Sequence, residues 1–422
     1  MSDPRASGLV QSGPNADVCA ITGMDATMTQ QQNMLPAILA LALGAFAIGT
    51  SEFAAMGLLP YFAADLGVSD PQAGHVISAY ALGVVVGAPL TSLFGAGLPR
   101  RRYLAALIAI YGVVNLAAAV LPGLGTLVVT RFLAGLPHGG FLGVAMLFAA
   151  DAMPPERRAR GAAQVMLGLT VANIVGVPLA GVLGQEIGWR WGFALPGIIA
   201  AVSAVLILRL APRAAPREPV RPWEELGALA NPRVLWVLLI AAIGFGGIFS
   251  VYAYLTAAML ATASPPAWAI PAALAMFGVG GTLSTWGSGR LTERFGINAT
   301  CWIFFAAMAA TQAFASLAVG SWPLMVLTAF LISASAGMLI PLQSRLMDVA
   351  GRAQNMASAM IHAAFNAANA LGPFLAGLAL AAGWGWRAPG MVGIGLTAAG
   401  AVILALSNWR DRADAARAVT PA

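Results

Sequence analysis

Twelve stretches of apolar residues run through this chain, and each is long enough to cross a lipid bilayer as a helix. A membrane-spanning helix needs about 20 mostly apolar residues to cross about 30 Å of hydrocarbon. Inside the bilayer the backbone amides and carbonyls must bond to each other, which a helix achieves within one segment. The pattern therefore predicts an all-α membrane protein. The predicted spans lie at residues 35–59, 74–97, 103–122, 126–149, 161–184, 191–211, 234–260, 268–289, 298–319, 322–346, 356–381 and 388–408.

The composition agrees with a membrane protein and argues against soluble classes. Hydrophobic residues make up 59% of the chain and charged residues only 9%, against about 25% charged residues in a soluble domain. The net charge of +6 comes from arginines spread over many loops, so no single basic patch indicates a nucleic-acid partner. The two cysteines, Cys19 and Cys301, are too few for a disulfide framework and lack metal-ligand spacing.

One ten-residue segment occurs twice. Residues 172–181 (ANIVGVPLAG) return at residues 368–377 (ANALGPFLAG), with six identities at a constant offset of 196 residues. A Trp-Arg pair follows each copy, at residues 189–190 and 386–387. The repeat predicts two similar halves, and paired halves in a membrane protein are typical of transporters, whose substrate sites form where the repeats meet.

A polar segment at residues 212–232 divides the twelve spans into six and six. It predicts an N-terminal six-helix bundle over residues 34–211, a cytoplasmic linker over 212–232 and a C-terminal six-helix bundle over 233–410. Residues 1–33 are polar and lack the apolar core of a signal peptide, so we expect a disordered cytoplasmic tail there, with Met34 as an alternative start of the natural chain. Residues 411–422 are expected to form a second cytoplasmic tail.

Arginine counting gives the expected orientation. Of the 22 basic residues, 19 lie in tails, the linker or loops that share one side of the predicted spans. Basic residues in short loops remain on the cytoplasmic side. Both termini are therefore predicted to be cytoplasmic. The three exceptions are Arg190 and Arg387 in opposite loops and Arg131 inside the fourth span.

Four local sequences resemble the major facilitator superfamily, and most closely its twelve-span drug:proton antiporters of the arabinose-efflux-permease-like branch. Residues 49–60 (GTSEFAAMGLLP) resemble the first span of that branch, and residues 131–139 (RFLAGLPHG) its fourth-span motif. Residues 168–181 (GLTVANIVGVPLAG) resemble the fifth-span antiporter motif, and residues 289–296 (GRLTERFG) the family's loop motif. The resemblance covers about residues 34–410.

The resemblance implies the major facilitator fold, with 12 transmembrane helices in two pseudosymmetric six-helix bundles. It also implies a proton-relay role for Arg131 and gating roles for the loop and antiporter motifs. The first loop copy, residues 95–102 (GAGLPRRR), keeps its basic residues but lacks the usual acid, which puts its gating role in question. The gating candidates are Arg100, Arg101, Gly176, Pro178, Gly289, Glu293, Arg294, Gly372 and Pro373.

Glu52 is the first candidate for proton chemistry, because it is the one acid well inside a predicted span. An ionisable group at that depth is costly and is found mostly where it has a function. At 1.5 Å per residue, Glu52 lies about 25 Å along the first span and Arg131 about 8 Å into the fourth from the opposite face. The two charges should therefore lie at similar depth and interact directly or through water. The alternative is a permanent ion pair that only fixes helix packing.

Two histidines are further polar candidates within the spans. His138 lies two helical turns after Arg131 and either relays protons or makes a structural hydrogen bond. His362 shares one stripe of the eleventh span with Asn366 and Asn369. A polar stripe in a membrane helix faces inwards, where it either lines a cavity or bonds to another helix.

Aromatic and methionine side chains near these polar groups suit a moderately apolar ligand. Together with His362 and Asn366, the predicted substrate cavity comprises Phe53, Met56, Phe249, Tyr252, Met338 and Gln343. The glycines of the fifth and eleventh spans, with Gly176 and Gly372, provide small faces for close helix packing, which either slide during transport or pack statically.

These features together favour a monomeric secondary transporter of the bacterial inner membrane that exports a drug-like compound in exchange for protons. The expected partners are a small-molecule substrate, protons and membrane lipid, without nucleic acid. No phosphate cradle, metal cluster or ordered nucleophile is evident in the sequence, so we expect no cofactor, no metal and no enzymatic activity. A sugar or metabolite exporter, an uncoupled facilitator and a non-transporting sensor or scaffold remain alternatives.

Overall fold

The computed structural model describes residues 15–95, 98–154, 157–212, 231–350 and 354–419, and the regular elements among them are helices. The first half contains α1 (Asn15–Leu66), α2 (Asp70–Gly95), α3 (Arg100–Val120), α4 (Leu124–Asp151), α5 (Arg158–Val171), α6 (Val177–Glu186) and α7 (Trp189–Leu210). The second half contains α8 (Pro232–Leu239), α9 (Gly246–Ala263), α10 (Ala269–Ala318), α11 (Trp322–Ala334), α12 (Leu339–Ala350), α13 (Gln354–Ala381) and α14 (Ala388–Val419).

The described residues include eleven helices that are long and apolar enough to cross a membrane. The longest, α10, covers two of the predicted spans. Two helices meet inside it at Gly296, whose φ of 79° and ψ of 165° are not helical. The predicted boundary between the eighth and ninth spans lies at this glycine. The predicted tenth span is divided into α11 and α12.

Two ends of the molecule are distinguished by their arginines. We call the end with the α2–α3 and α4–α5 connections, near Arg100 and Arg158, the Arg-rich end. The opposite, Arg-poor end holds the connections that follow α1, α3, α6, α9, α10 and α13. Each of these six connections contains a residue with positive φ, a conformation that ends a helix and that glycine adopts without strain. These residues are Gly67, Gly123, Gly188, Ser264, Gly320, Gly383 and Gly385.

Helix α1 differs from its prediction at both ends. The helix begins at Asn15, inside the segment predicted to be a disordered tail, while residues 1–14 lie outside the described residues. It also continues through Pro60 to Leu66 instead of ending at residue 59. A proline inside a helix leaves one carbonyl without its amide partner, but neighbouring helices compensate for this loss in membrane proteins. The linker over residues 213–230 is also outside the described residues.

A π-helical turn, Ala172–Gly176, joins α5 to α6, and a second one, Ile240–Gly244, joins α8 to α9. The first ends at Gly176, two residues before Pro178. Because proline cannot donate to the carbonyl four residues earlier, a wider turn at this place accommodates the missing bond.

The hydrophobic core shows where the two halves meet. One cluster of buried residues combines the second half with parts of the first half near the Arg-poor end, including Leu58, Ile77 and Leu127. The other cluster is confined to the first half and includes Leu41 and Leu104 nearer the Arg-rich end. Contacts between the halves join α2 to α13, α1 to α9, and α6 to α10. Apolar packing between the halves is therefore concentrated at the Arg-poor end.

The outer surface is apolar along the helices. Val113, for example, is 66% exposed and Val402 is 57% exposed. A surface with so many exposed large apolar side chains is unusual on a soluble monomer and fits contact with lipid.

Candidate functional site

Arg131 is the largest side chain that is completely buried, and it lies on α4. Its Nη1 atom donates to the hydroxyl of Ser51 at 2.7 Å and to Oδ1 of Asn115 at 3.3 Å. Its Nη2 atom donates to the carbonyl of Ser51 at 3.1 Å. The Ser51 hydroxyl in turn donates to Asn115 Oδ1 at 2.6 Å. Arg131 thereby connects α4 to α1 and α3.

Two aromatic rings also face the Arg131 guanidinium. Its Cζ atom is 4.1 Å from the centre of the Tyr80 ring and 5.1 Å from that of Phe193. A cation over an aromatic face is stabilised by the electron density of the ring, and more strongly when water is excluded. The hydrogen bonds and the rings together explain how a cation is held in the core of the first half.

Glu52 is only 8% exposed and lies on α1 next to Ser51. Its Oε1 atom accepts a hydrogen bond of 3.2 Å from Nδ2 of Asn369 on α13. Glu52 therefore bonds to the second half of the chain, while Arg131 bonds within the first half. Among the described residues the two charges form no direct ion pair.

The depth of Glu52 follows from the true length of α1. Glu52 lies 14 residues before Leu66, which corresponds to about 21 Å of helix. The position is thus near the middle of the membrane-spanning part that begins at Met34, deeper than the sequence suggested. Because Arg131 reaches Ser51, the two charges nevertheless lie at a similar level, each with its own hydrogen-bonding partners.

His138 begins a chain of hydrogen bonds through two tyrosines. Its Nδ1 atom is 2.9 Å from the hydroxyl of Tyr80, which is 3.2 Å from the hydroxyl of Tyr111. The Tyr111 hydroxyl is also 3.3 Å from the carbonyl of Ile48, to which it donates. His138 and Arg131 thus meet at the same residue, Tyr80. All three ring side chains are buried.

Sequence reasoning missed Ser51, Asn115, Tyr80 and Tyr111. These residues carry no formal charge at neutral pH, so none of them is as costly inside a membrane span as Glu52 or Arg131. A useful signal was present in Asn115, an amide in the middle of an otherwise apolar span. A polar residue in such a place needs an internal partner.

Three of the predicted cavity residues meet in one aromatic cluster. The Phe53 ring on α1 is 6.5 Å from that of Phe249 and 6.4 Å from that of Tyr252 on α9. Phe277 of α10, which sequence reasoning did not select, stacks on Tyr252 with ring centres 3.6 Å apart. The hydroxyl of Tyr252 is buried and has no hydrogen-bond partner among the described residues.

The remaining predicted cavity residues are not all brought together. Met56 and Met338 have no exposed surface and belong to the hydrophobic core, so neither lines open space in this conformation. His362 and Asn366 on α13 and Gln343 on α12 are half-buried. The amide of Asn366 donates to the His362 carbonyl at 3.1 Å, a bond within its own helix. In this stripe it is Asn369 that bonds to another helix.

The basic residues around the first copy of the loop motif pair with a carboxylate on another helix. Arg100 Nη1 is 2.6 Å from Asp151 at the end of α4, and Arg158 of α5 pairs with the same carboxylate. Arg101 donates to the carbonyl of Ala211 at 3.3 Å. Asp151 therefore provides a carboxylate next to the basic residues of this loop.

The second copy of the loop motif is more open. Glu293 and Arg294 are exposed, and a side chain added at Gly289 would meet no described atom within 4 Å.

The repeated glycines make equivalent contacts in the two halves. A β-carbon at Gly176 would collide with the hydroxyl of Thr50, and one at Gly372 would collide with the carbonyl of Gly246. Both pairs are related by the same offset of 196 residues as the sequence repeat. Pro178 and Pro373 follow these glycines within their helices. The sequence repeat is therefore also a structural repeat.

Comparison with known proteins agrees with these observations. Residues 41–350 match the family described as Major Facilitator Superfamily. The inner membrane transport protein YdhP of Escherichia coli (strain K12) is 37% identical over 350 residues, which cover 83% of this chain and 90% of YdhP. The chloramphenicol resistance protein of Streptomyces lividans is 32% identical over 348 residues, which cover 81% of this chain and 88% of that protein.

Among solved structures, a mutant of the nucleoside transporter NupG has a TM-score of 0.72 at 13% identity, over 88% of this chain and 98% of NupG. This likeness concerns the fold. The relatives and the fold are those of transporters, which confirms the prediction that the chain is not an enzyme. With membrane-spanning helices, a repeated architecture and a family match over most of its length, the chain belongs to the major facilitator superfamily of multi-pass membrane transporters.

Proposed function

We propose that this chain exports a small, drug-like organic compound across the bacterial inner membrane in exchange for protons. The observation that carries the proposal is Glu52, an ionisable side chain near the middle of a membrane-spanning helix that bonds to the opposite half of the protein. Ionisable groups at that depth are costly and mark ion and proton pathways. Its neighbour Ser51 holds the buried Arg131.

In this proposal Glu52 carries the proton, and Arg131 makes its protonation depend on conformation. A nearby cation favours the ionised carboxylate and burial disfavours it. Separation of the two halves would change the access of water to Glu52 and would therefore change this balance. His138 supports the arrangement through Tyr80, which contacts both His138 and Arg131.

The Arg-rich end is assigned to the cytoplasm by the distribution of basic residues, which makes both termini cytoplasmic. We propose bundle boundaries at residues 34–211 and 233–410, with residues 212–232 as the linker. The bundles would rock about the central site and expose it to each side in turn. Since the halves pack together near the Arg-poor end, the conformation described here corresponds to a site facing the cytoplasm.

The aromatic cluster of Phe53, Phe249 and Tyr252 provides the apolar part of the substrate site, and His362 and Asn366 on α13 provide its polar groups. Such a mixture suits a moderately apolar organic compound. The name of the Streptomyces lividans relative, a chloramphenicol resistance protein, supports export of a drug-like compound. Met56, Met338 and Gln343 would join the site in another conformation. We propose that the protein works as a monomer.

The motif residues would govern the movement of the halves. At the Arg-rich end, Arg100 and Arg101 hold the loop after α2 against neighbouring helices. Gly289, Glu293 and Arg294 occupy the related loop of the second half. The glycines and prolines of the two antiporter-motif copies allow the close helix contacts on which rocking depends. These residues are Gly176, Pro178, Gly372 and Pro373.

Everted membrane vesicles with a pH-sensitive dye test the proposal. Respiration acidifies the vesicle interior, and addition of a transported compound should release protons in exchange. We expect chloramphenicol or a related aromatic compound to dissipate the gradient in vesicles with the natural chain. Glu52→Gln should abolish this response, whereas the control Glu186→Gln, at an exposed position on α6, should retain it.

The outcomes separate the alternative functions. A response to sugars but not to aromatic compounds would replace the drug exporter by a sugar exporter. Substrate flux that is independent of the proton gradient would indicate a facilitator. A full response in Glu52→Gln vesicles would remove Glu52 from the mechanism. An absence of flux for every compound in a broad panel would favour the sensor or scaffold.

A further inference from the structure

Two hydrogen bonds that join the halves lie next to each other on α13. The hydroxyl of Ser78 on α2 donates to the carbonyl of Ala370 at 2.9 Å, and Asn369 Nδ2 donates to Glu52 at 3.2 Å. One of these two bonds therefore ends on a group that can gain or lose a proton.

Glu52 also lies where the packing of α1 changes. Along this helix, the buried cluster confined to the first half ends at Ile48, and the cluster shared by both halves begins at Ala54. Glu52 and Asn369 thus bond at the start of the region where the halves are packed together. A change in the strength of this bond acts directly on closure at the Arg-poor end.

The amide of Asn369 can form different hydrogen bonds with a carboxylate and with a carboxylic acid. Its Oδ1 atom is buried and has no hydrogen-bond partner among the described residues. An ionised carboxylate only accepts, so it can bond to Nδ2 but not to Oδ1. A protonated carboxyl group also donates, and its O–H can bond to Oδ1 while Nδ2 remains bound to the other oxygen. Leaving a buried acceptor unpaired is costly, so the second bond favours the closed contact.

We propose that Asn369 couples the protonation of Glu52 to closure of the two halves at the Arg-poor end. The proposal rests on the proposed function and names the residue that links its proton to its conformational change. A proton from the Arg-poor side binds the Glu52 carboxylate, and the new O–H donates to Asn369 Oδ1. Release of that proton to the Arg-rich side restores the carboxylate, removes the second bond and allows the halves to separate.

The sequence repeat does not duplicate the pairing of Asn369 with a carboxyl group. The repeat counterpart of Asn369 is Asn173, whose Oδ1 is also buried without a described partner. The repeat counterpart of Glu52 is Ile248, which cannot titrate. Asn173 is therefore a matched control: the same residue type, in the same motif, without a carboxyl group at the related position.

Other groups around the pair can ionise, and the test must separate their effects. Arg131, Tyr80 and Tyr111 interact electrostatically with Glu52 from α4, α2 and α3. His362 lies two turns earlier on α13, and Tyr252 lies on α9. The test therefore changes Asn369, which does not itself titrate, and leaves those five groups in place.

The test measures the distance between the halves at acidic and alkaline pH. The full chain carries spin labels at Ser69→Cys and Ala267→Cys, two exposed positions in the connections after α1 and α9. Cys19 and Cys301 are replaced by serine and alanine, and distances are measured by pulsed electron resonance in lipid vesicles. In the parent protein, acid should raise the ratio of the short-distance to the long-distance population about fivefold, as expected for one added hydrogen bond.

Variants then show which residues the pH-dependent change in distance requires. Asn369→Leu should abolish the pH dependence, and Asn369→Ala serves if the larger side chain prevents folding. Asn173→Leu should retain it. Ser78→Ala should reduce the short-distance population equally at both pH values. Glu52→Gln should favour the short distance at both pH values, because the glutamine amide donates to and accepts from Asn369 as the protonated acid does.

A pH response that is absent in the parent or unchanged in both Asn369 variants would overturn the coupling role. So would a Glu52→Gln protein that stays at the long distance. Flux in the vesicle assay is a separate readout. If export proves independent of protons while Asn369 still controls the distance, the proposed function fails and the coupling of Glu52 to closure stands.

Discussion

The guanidinium of Arg131 donates a hydrogen bond of 2.7 Å to the hydroxyl of Ser51, the residue directly before Glu52 on α1. The buried cation and the buried acid are therefore held by adjacent residues of one helix, although they form no ion pair. Because Glu52 bonds to α13 and Arg131 to α1 and α3, a movement between the halves changes the surroundings of one charge without breaking the hydrogen bonds of the other.

Replacing Arg131 by lysine should impair export although the charge is kept. Arginine bonds here through two nitrogens and stacks on Tyr80, whereas lysine has neither the planar fork nor the stacking surface. Loss of one hydrogen bond to a charged group costs about 1.5–3 kcal/mol, so we expect flux to fall about tenfold or more in a proteoliposome assay.

The control for this variant is Arg190→Lys. Arg190 pairs with Asp65 at 2.6 Å, but both side chains are more than 40% exposed, and exposed pairs contribute little. Equal flux in Arg131→Lys and the parent protein would show that charge alone suffices at position 131.

Tyr80 should contribute separately through its hydroxyl and its ring. Tyr80→Phe removes the bonds to His138 and Tyr111 but keeps the ring beneath Arg131. We expect a loss of about 1 kcal/mol in stability for each lost hydrogen bond. Tyr80→Leu also removes the ring and should cost a further 0.5–2 kcal/mol, roughly the value of a buried cation–π contact. Thermal unfolding in detergent, followed by tryptophan fluorescence, measures both differences.

The Tyr80→Phe variant also distinguishes the two possible roles of His138. A relay needs the hydroxyl chain from His138 to Tyr111, so Tyr80→Phe would slow proton-coupled export well beyond its effect on stability. A structural His138 would give lower stability with normal flux per folded molecule.

The charged residues of the candidate site could be predicted from sequence, whereas most of their neutral partners could not. Glu52 and Arg131 were evident because a charge inside an apolar stretch is costly wherever the chain folds. The bonds of Arg131 to Ser51 and Asn115 depend on how α1, α3 and α4 pack, and no residue pattern within one helix gives that packing. The pairing of Glu52 with Asn369 is more remote still, since it joins residues 317 positions apart.

The positions of the helices could be predicted because hydrophobicity determines them. Their ends were harder to predict because they depend on backbone conformation. The apolar stretches located the helices, and the repeat located the equivalent contacts of Gly176 and Gly372. The predicted end of the first span at residue 59 was wrong, because α1 continues through Pro60 and neighbouring helices of a bundle compensate for the bond that proline cannot make. The first loop motif has no acid in its own sequence, and Asp151 of α4 lies beside Arg100 only because of how the helices pack.

The repeated glycines should not be equally tolerant of alanine. At Gly372 the added carbon would meet backbone atoms of Gly246 and Ser250, which cannot move aside without moving α9. At Gly176 the added carbon would meet side-chain atoms only, the hydroxyl of Thr50 and the ring of Phe46, which can shift without moving the backbone of α1. We therefore expect Gly372→Ala to cost about 1–3 kcal/mol of stability, the usual range for overpacking, and Gly176→Ala to cost less.

Gly395→Ala is the control, since an added carbon there meets no described atom within 4 Å. Thermal unfolding of the three variants ranks their stabilities. A Gly372→Ala protein as stable as Gly395→Ala would mean that α9 and α13 separate easily at this point.

Asp151→Asn should alter gating more than stability. Asp151 pairs with Arg100 and Arg158, but the side chains of Asp151 and Arg100 retain 23% and 22% exposure, and such pairs are screened by solvent. We expect a stability loss of about 1 kcal/mol or less that shrinks at high salt. Export should fall more strongly if the loop controls separation of the halves. Asp65→Asn at the opposite end is the matched control, and comparable flux in the two variants would remove this loop from gating.

Tyr252→Phe should leave the protein as stable as before, or more stable, while weakening substrate binding. The Tyr252 hydroxyl is buried without a described hydrogen-bond partner, and an unsatisfied buried polar group costs free energy that its removal recovers. The stack on Phe277 is kept. If this hydroxyl bonds to the substrate, the KM for export rises in Tyr252→Phe while the maximum rate is retained. Tyr252→Leu, which also loses the stack, should be less stable by about 0.5–1.5 kcal/mol. Thermal unfolding and concentration-dependent flux measure the two effects, and an unchanged KM would exclude Tyr252 from direct polar contact with the transported compound.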